Sequence, residues 1–208
     1  MSEMENVLDA TDPQALIMAQ RVAANGGVIV FPTDTLYGMA CDPRNPEALA
    51  RVYDIKGRSA QKALPVLVGG LDQLVEIVSE VPEKARRLLE TFWPGPLTIV
   101  LPKQPGLPAE LTPYPGVAVR MPNHPFALAL LQAFGPLAVT SANLSDHANP
   151  GTAEEVLAQL GNSVDLVIDG GRLEIGRGST ILDCGSETLV LLREGPISFE
   201  TLMEAWNQ

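Results

Sequence analysis

The basic residues are the first candidates for chemistry, because they are few and several lie at the ends of predicted elements. The chain has 14 Lys and Arg residues against 25 Asp and Glu residues. Lys56, Arg58 and Lys62 cluster after a predicted helix, whereas Arg120 and Arg193 each end an apolar run. Arginine binds carboxylate or phosphate groups through a planar fork, and lysine adds a mobile point charge. Together these residues predict a site for an anionic substrate such as a nucleoside triphosphate, although each alone could be an ordinary surface charge.

Two short polar segments are the second set of candidates. Residues 32–35 (Pro-Thr-Asp-Thr) follow the apolar run 28–31, and residues 140–143 (Thr-Ser-Ala-Asn) follow the apolar run 137–139. In open α/β sheets, ligands bind beyond the carboxyl ends of strands, and hydroxyl and amide side chains supply both donors and acceptors there. The same residue types are common helix caps and turn residues, so each segment by itself fits either role.

Other familiar catalytic and binding patterns are weak or missing. The sequence has neither a Walker A motif nor a G-x-G-x-x-G turn after a strand. Residues 176–180 are Gly-rich and could wrap an anion with backbone N–H groups, or could simply form a turn that enters a strand. His124 and His147 have no evident Ser or Cys partner, and a structural role is expected for His124 at a helix start. Cys41 and Cys184 lie outside any Cys/His cluster, which predicts two reduced, buried thiols and no zinc site.

The overall charge limits the range of partners. A formal net charge of -11 argues against a generic nucleic-acid-binding surface, but it leaves room for a local basic pocket. The acidic N-terminus lacks the apolar stretch of a signal peptide, and no apolar run approaches the roughly 18 residues that span a membrane. We therefore expect a cytoplasmic protein with no membrane partner.

The elements that must position these residues alternate along the chain. The pattern predicts helices at about 13–24, 46–56, 71–78, 82–93, 125–134, 153–160 and 198–206. It predicts strands at about 28–31, 65–68, 97–101, 117–120, 137–140, 164–168, 180–183 and 188–192. This alternation is typical of an α/β sheet with helices packed on its faces, and the late hairpin predicts a mixed sheet. The Pro-rich stretch 102–115 is interpreted as a surface loop within one domain.

Eight stretches, in this order, resemble the YrdC/Sua5 family of threonylcarbamoyl-adenylate synthases. They are residues 32–38, 56–58, 93–98, 120–125, 141–143, 169–171, 179–180 and 192–193. The resemblance implies a YrdC-like twisted mixed sheet with helices on its faces and a large concave, locally positive cavity. It also implies a single domain over residues 1–208, with a core at about 12–197 and without the C-terminal domain of longer Sua5 proteins.

The activity that the resemblance implies is that of an L-threonylcarbamoyladenylate synthase, a nucleotidyltransferase. Its substrates would be L-threonine, bicarbonate or CO2, and ATP, and its products threonylcarbamoyl-AMP and pyrophosphate. The product would pass to threonylcarbamoyl-transferase machinery for the N6-threonylcarbamoyl modification of adenosine 37 in tRNA, with a tRNA contact as a further expectation. Mg2+ would arrive bound to the ATP phosphates rather than in a metal site of the protein.

The resemblance also assigns residues to roles. The family's K-x-R and S-x-N tetrad, taken as catalytic, falls on Lys56, Arg58, Ser141 and Asn143. ATP binding would fall on Arg58, Lys62, Asn143 and Arg193. Threonine binding would fall on Thr35, Arg120, Ser141 and Ser179.

The sequence departs from the family pattern at several positions. Asp146 stands where the family usually has Gly, residues 149–151 (Asn-Pro-Gly) replace Ser-Pro-Thr, Ser59 replaces Pro, and Gly178 replaces a frequent Glu. The tetrad is intact, and the changes bear on nucleotide contacts near residue 151. A non-catalytic tRNA- or RNA-binding protein of the YrdC/YciO type is therefore kept as an alternative. A carbamoyl-transfer relative is a third interpretation, against which the lack of flanking acylphosphatase or zinc-finger segments argues.

Overall fold

A computed structural model describes residues 6–59, 62–173, 178–186 and 188–207. Helices in this part are α1 (Pro13–Ala24), α2 (Pro46–Lys56), α3 (Glu83–Phe92), α4 (Pro125–Phe134), α5 (Ala153–Leu160) and α6 (Phe199–Asn207), with 3-10 turns at Leu71–Glu76 and Gly161–Ser163. Strands are β1 (Val7–Asp9), β2 (Ile29–Pro32), β3 (Tyr37–Cys41), β4 (Val66–Leu67), β5 (Leu97–Pro102), β6 (Gly116–Arg120), β7 (Leu137–Ser141), β8 (Leu166–Asp169), β9 (Thr180–Asp183) and β10 (Val190–Arg193).

These strands form one sheet in the order β1-β8-β2-β3-β7-β4-β6-β5-β9-β10. Neighbours β1/β8, β2/β8, β4/β6 and β5/β9 are parallel, and β2/β3, β3/β7, β4/β7, β5/β6 and β9/β10 are antiparallel. The predicted mixed sheet is confirmed, including the late hairpin. Three of the antiparallel pairs, β2–β3, β5–β6 and β9–β10, join strands that are consecutive along the chain.

Helices pack on both faces of the sheet, as the alternation of side chains requires. In β2, Ile29 and Phe31 belong to a buried cluster with the apolar faces of α1 and α4. Val28 and Val30 belong to a larger cluster with residues of the other four helices. A strand that is buried on both faces has a continuous apolar sequence, so β2 could be predicted from its apolar run.

The cavity lies on the same face of the sheet as α1 and α4, in the part of that face that the two helices leave uncovered. Helix α1 contacts β1, β2 and β8, and α4 contacts β2. Further along the sheet, Val100, Ala118 and Ile181 line a cavity, whereas Ile99 and Val119 point into the core on the other side. The concavity therefore lies beyond the two helices, over β5, β6, β7 and β9.

Helix α2 begins and ends as its sequence predicts. Asn45 accepts hydrogen bonds from the backbone N–H groups of Glu47 and Ala48 at 3.0 and 3.1 Å, and Pro46 occupies the first turn. Gly57 ends the helix in the left-handed region, with φ of 59°. This fixed end places Lys56 and Arg58 on either side of the turn.

Several predictions differ from the structure. Strands β1 and β3 were missed; the β3 sequence Tyr-Gly-Met-Ala-Cys lacks polar alternation because every residue of it is buried. The helix predicted at 71–78 is a 3-10 turn over Leu71–Glu76, in which Leu74 is buried and Val75 is 69% exposed. The stretch 102–115 is more than a surface loop, because Leu111 and Thr112 are fully buried and Thr112 lines the cavity.

Candidate functional site

The cavity has a volume of about 910 Å³ and is lined by side chains from both sheet halves. Its basic lining residues are Arg58, Arg120 and Arg193, and Asp183 is the acidic one among the lining residues that the structure describes. Hydroxyl side chains line it at Thr33, Thr35, Thr98, Thr112, Thr140, Ser141, Ser179 and Ser186. The predicted concave and locally positive cavity is therefore present in a chain whose net charge is -11.

Lys56 lies beneath this cavity and binds the turn that follows β7. Its side chain is buried, and Nζ donates to the backbone oxygens of Ser141 (2.6 Å) and Asn143 (2.8 Å) and to Asn143 Oδ1 (2.9 Å). Ser141 Oγ lies 3.2 Å from Nζ and donates to Asn143 Oδ1 at 2.6 Å. Burial, reinforced by the nearby charge of Arg58, lowers the pKa of Lys56 to about 8. Lys56 thus holds Ser141 in place from outside the cavity lining.

Arg58 reaches the cavity from the turn after α2. Nη1 donates to Thr140 Oγ1 and Nη2 to the backbone oxygen of Ala63, each at 3.1 Å. Its Nε is buried and has no hydrogen-bond partner in the described part of the chain. Burial lowers the pKa of Arg58, although the guanidinium stays charged at neutral pH. A buried N–H without a partner is the kind of group that a ligand satisfies.

Arg120 is the most enclosed cation of the cavity, with 6% of its surface exposed. Nη1 donates to Thr35 Oγ1 at 2.8 Å, Nε to the backbone oxygen of Gly95 at 2.9 Å, and Nη2 to Asp34 Oδ1 at 2.6 Å. Burial lowers the pKa of Arg120, and the Asp34 carboxylate opposes that shift. The structure thus joins the end of β6 to the β2–β3 turn through one guanidinium.

Ser179 and Arg193 form another part of the cavity wall, next to the start of β9 and at the end of β10. Ser179 Oγ lies 2.7 Å from Thr98 Oγ1. Arg193 donates to the Ser179 backbone oxygen from Nε (3.0 Å) and Nη2 (2.9 Å), and Nη2 lies 3.2 Å from Ser179 Oγ. Gly178 permits this approach, because a Cβ there would lie 2.8 Å from Arg193 Nη2.

Tyr37 fixes a further turn at the cavity wall. Its hydroxyl donates to the backbone oxygen of Gly171 at 2.7 Å, accepts from the Gly170 N–H at 3.0 Å, and lies 3.3 Å from Asp169 Oδ1. Burial raises the pKa of Tyr37 to about 12, so the hydroxyl is neutral at physiological pH. Tyr37 lies in the stretch 32–38, which resembles the YrdC/Sua5 family, but the sequence suggested no role for this residue.

Most residues predicted to form the site meet in one place. The cavity lining includes Thr35, Arg58, Arg120, Ser141, Ser179 and Arg193. Lys56 and Asn143 lie directly beneath Ser141, outside the lining. Lys62 is exposed and also lies outside the lining, so the structure does not bring its side chain into the cluster.

The departures from the family pattern have local structural explanations. Asp146 adopts φ of 65°, a conformation that glycine favours and Asp tolerates better than most residues. Gly151 lacks the hydroxyl group that a threonine would supply at this position. The neighbouring Thr152 uses its own hydroxyl to cap α5, because its Oγ1 accepts from the Glu155 N–H at 3.2 Å. The Gly-rich segment 176–180 lies partly outside the described residues, which resume at Gly178.

The remaining candidates lie outside the cavity lining. His124 precedes α4, and burial lowers its pKa. Burial also raises the pKa of the free thiols of Cys41 and Cys184 to about 12. No group of three or more His, Cys, Asp or Glu side chains suited to a metal occurs among the residues described. Within the same residues, no helix is long and apolar enough to cross a membrane.

Known proteins resemble this chain over nearly its whole length. A family described as "Sua5_yciO_yrdC: Telomere recombination" matches residues 21–195. The Threonylcarbamoyl-AMP synthase of Bacillus subtilis is 38% identical over 96% of this chain, which spans 58% of that relative. A Putative threonylcarbamoyl-AMP synthase of Mycobacterium tuberculosis is 38% identical, with 97% of this chain and 95% of the relative covered.

Solved structures show the same likeness. The crystal structure of Pyrococcus abyssi Sua5 complexed with L-threonine matches with a TM-score of 0.88 and 36% identity, covering 91% of this chain and 56% of that one. Escherichia coli YciO matches with a TM-score of 0.83 and 28% identity, covering 95% and 97%.

Fold and site together define an α/β protein with a cavity of arginine and hydroxyl side chains that suits an anionic ligand. The chain belongs to the Sua5/YciO/YrdC family, as the match over residues 21–195 shows. The YrdC-like fold that the motifs implied is thereby confirmed.

Proposed function

We propose that this chain is an L-threonylcarbamoyladenylate synthase, which forms threonylcarbamoyl-AMP and pyrophosphate from L-threonine, bicarbonate or CO2, and ATP. The observation that carries the proposal is the single cavity on which Arg58, Arg120 and Arg193 converge among hydroxyl groups. Relatives that bear the name threonylcarbamoyl-AMP synthase support it. Because this chain spans only 58% of the Bacillus subtilis relative, the activity rests on the shared domain.

The threonine subsite of this proposal is the wall formed by Thr35, Arg120, Ser141 and Ser179. A guanidinium has five N–H donors, and three of those on Arg120 are used within the protein. Among the described residues, one N–H on each terminal nitrogen therefore stays available for the carboxylate of an amino acid. The threonine complex of Pyrococcus abyssi Sua5 supports an amino-acid subsite in this fold.

The ATP subsite of the proposal lies around Arg58 and Arg193, with Asn143 supporting it from below. The unpartnered Nε–H of Arg58 offers a donor to a phosphate oxygen. Lys62 is exposed, so we propose that it approaches the phosphates only as a mobile point charge. Mg2+ would enter on the triphosphate oxygens and neutralise phosphate charge.

The proposed reaction has two steps that balance without a protein nucleophile. The threonine amine bonds to the carbon of CO2 and loses a proton, which gives a carbamate. A carbamate oxygen then attacks the α-phosphorus, the bond to the β-phosphate oxygen breaks, and pyrophosphate leaves. The transfer of AMP makes the enzyme a nucleotidyltransferase. Positioning and charge neutralisation by the arginines would supply most of the rate acceleration.

The product would serve the threonylcarbamoylation of adenosine 37 in tRNA through a downstream transferase. The use of ATP and tRNA agrees with the cytoplasmic location expected from the sequence. A tRNA contact by this chain is part of the same proposal.

The second candidate function is that of a non-catalytic tRNA- or RNA-binding protein. The likeness to Escherichia coli YciO over nearly the full length of both chains supports this candidate. Pyrophosphate release separates the two candidates. We expect release from ATP only when both L-threonine and bicarbonate are present. Release that ignores threonine, or salt-sensitive tRNA binding without any turnover, would reject the synthase.

A further inference from the structure

The Asp34 carboxylate is an acidic group at the threonine wall to which the sequence assigned no role. Its side chain is 16% exposed, and its Oδ1 accepts from Arg120 Nη2 at 2.6 Å. Asp34 is not among the residues that line the cavity. It therefore acts on the cavity through the guanidinium that it binds.

Each nitrogen of that guanidinium is held by a different residue, two from the β2–β3 turn and one from the segment before β5. The Gly95 backbone oxygen fixes Nε, Thr35 Oγ1 fixes Nη1, and Asp34 fixes Nη2. Three hydrogen bonds, one to each nitrogen, restrict the orientation of the guanidinium. The free N–H of each terminal nitrogen then points in a direction that the protein has set, which is what bidentate carboxylate binding needs.

The charged groups at this wall leave a net positive charge that suits one anion. Arg193 lies close enough to Arg120 to disfavour its positive charge, whereas Asp34 favours it. With two guanidinium groups and one internal carboxylate, the wall has one positive charge in excess. Without Asp34, a nearly buried cation would lose its counter-ion, which is strongly unfavourable.

We infer that Asp34 is a positioning residue for the substrate carboxylate, which it serves by fixing and neutralising Arg120. The inference rests on the proposed function, because it takes threonine as the amino-acid substrate. An opposite role would be competition, in which Asp34 occupies the guanidinium and a substrate must displace it. The two roles predict opposite changes in affinity when Asp34 is removed.

Binding of L-threonine and of L-threoninol, which lacks the carboxylate, tests the inference by calorimetry on the full chain. Asp34→Ala is expected to weaken L-threonine binding about tenfold or more and L-threoninol binding less than about twofold. Asp34→Asn, which keeps an oxygen acceptor, is expected to retain part of the preference for L-threonine. Asp54→Ala on the exposed face of α2 is the matched control and should bind both ligands as the natural chain does.

The same Asp34→Ala substitution, made in a protein that also carries Arg120→Lys, shows whether Asp34 acts through Arg120. In Arg120→Lys, which lacks the fork, Asp34→Ala should change L-threonine affinity less than about twofold, since residues that act as a unit are not additive. Circular dichroism and a melting curve establish that each variant is folded. Tighter L-threonine binding in Asp34→Ala, equal losses for both ligands, or full additivity with Arg120→Lys would overturn the inference.

The outcomes separate this inference from the proposed function. If the natural chain binds no L-threonine, the threonine-dependent synthase is rejected, and the inference with it. If the natural chain binds L-threonine and Asp34→Ala binds it equally well, only the inference fails.

Discussion

Lys56 Nζ lies 2.8 Å from the backbone oxygen of Asn143 and 2.9 Å from its side-chain oxygen, although Lys56 ends a helix and Asn143 follows a strand far along the chain. One ammonium group therefore holds both ends of the S-x-N turn. Neither residue lines the cavity, and both contact Ser141, so they support the adjoining part of the cavity wall.

Removing this ammonium should destabilise the protein. Lys56→Met leaves buried oxygens of Ser141 and Asn143 without their donor, and we expect the free energy of unfolding to fall by about 3 kcal/mol. Urea denaturation measures the change. Lys62→Met, the same substitution at an exposed neighbour, should stay within about 0.5 kcal/mol of the natural chain. Equal stability of the two variants would contradict the role given to Lys56.

The lowered pKa of Lys56 predicts a pH dependence of stability. Between about pH 8 and 10.5 the folded protein has lost the Lys56 proton while the unfolded chain still binds it. The unfolded state binds more protons, so this group makes the free energy of unfolding rise with pH in that window. The contribution is present above pH 10.5 and lost as the pH falls through about 8. The difference between the natural chain and Lys56→Met, measured by urea denaturation from pH 7.5 to 10.5, should show this rise; a flat difference would exclude it.

Arg58 should matter for turnover and little for folding. Arg58→Ala removes a cavity-lining guanidinium with a free Nε–H, and we expect pyrophosphate release to fall by about a hundredfold or more. The melting temperature should change little, because the Arg58 side chain donates only two hydrogen bonds to the protein in the described residues. Arg86→Ala on the exposed face of α3 controls for loss of positive charge. Near-normal turnover of Arg58→Ala would refute the assigned role.

Asp146 offers a test of backbone conformation. With φ of 65°, Asp146→Gly should leave stability unchanged or raise it by up to about 1 kcal/mol, because glycine adopts this region without strain. Asp146→Val should lower the free energy of unfolding by about 1–2 kcal/mol, since a β-branched residue fits this region poorly. Chemical denaturation of the three proteins gives the order, and a Val variant as stable as the Gly variant would show that the turn is not held in this conformation.

The sequence predicted local features well where one residue type had one physical role. Asn45, Pro46 and Gly57 marked the ends of α2, and the apolar run of β2 marked a strand buried on both faces. Strand β3 escaped prediction because this fully buried strand after a polar turn has neither period-two alternation nor a β-branched run.

The sequence identified several residues that line the cavity, but it did not indicate which residues contact one another there. Arg58, Arg120 and Arg193 were identified because basic residues are rare in this acidic chain and these lie at the ends of elements. Nothing in the sequence indicated that Asp34 would bind Arg120, since the two residues belong to distant segments that only the sheet order brings together. Lys62, which the family resemblance assigned to ATP binding, is exposed and lies outside the cavity lining.

Direct detection of the product tests the central claim most simply. The full chain is incubated with ATP, Mg2+, L-threonine and ¹³C-labelled bicarbonate, and the nucleotides are analysed by mass spectrometry. We expect threonylcarbamoyl-AMP that carries one ¹³C atom, formed in equal amount with pyrophosphate and lost when L-threonine is omitted. Unlabelled product, or ATP left intact with all substrates present, would contradict the proposed synthase.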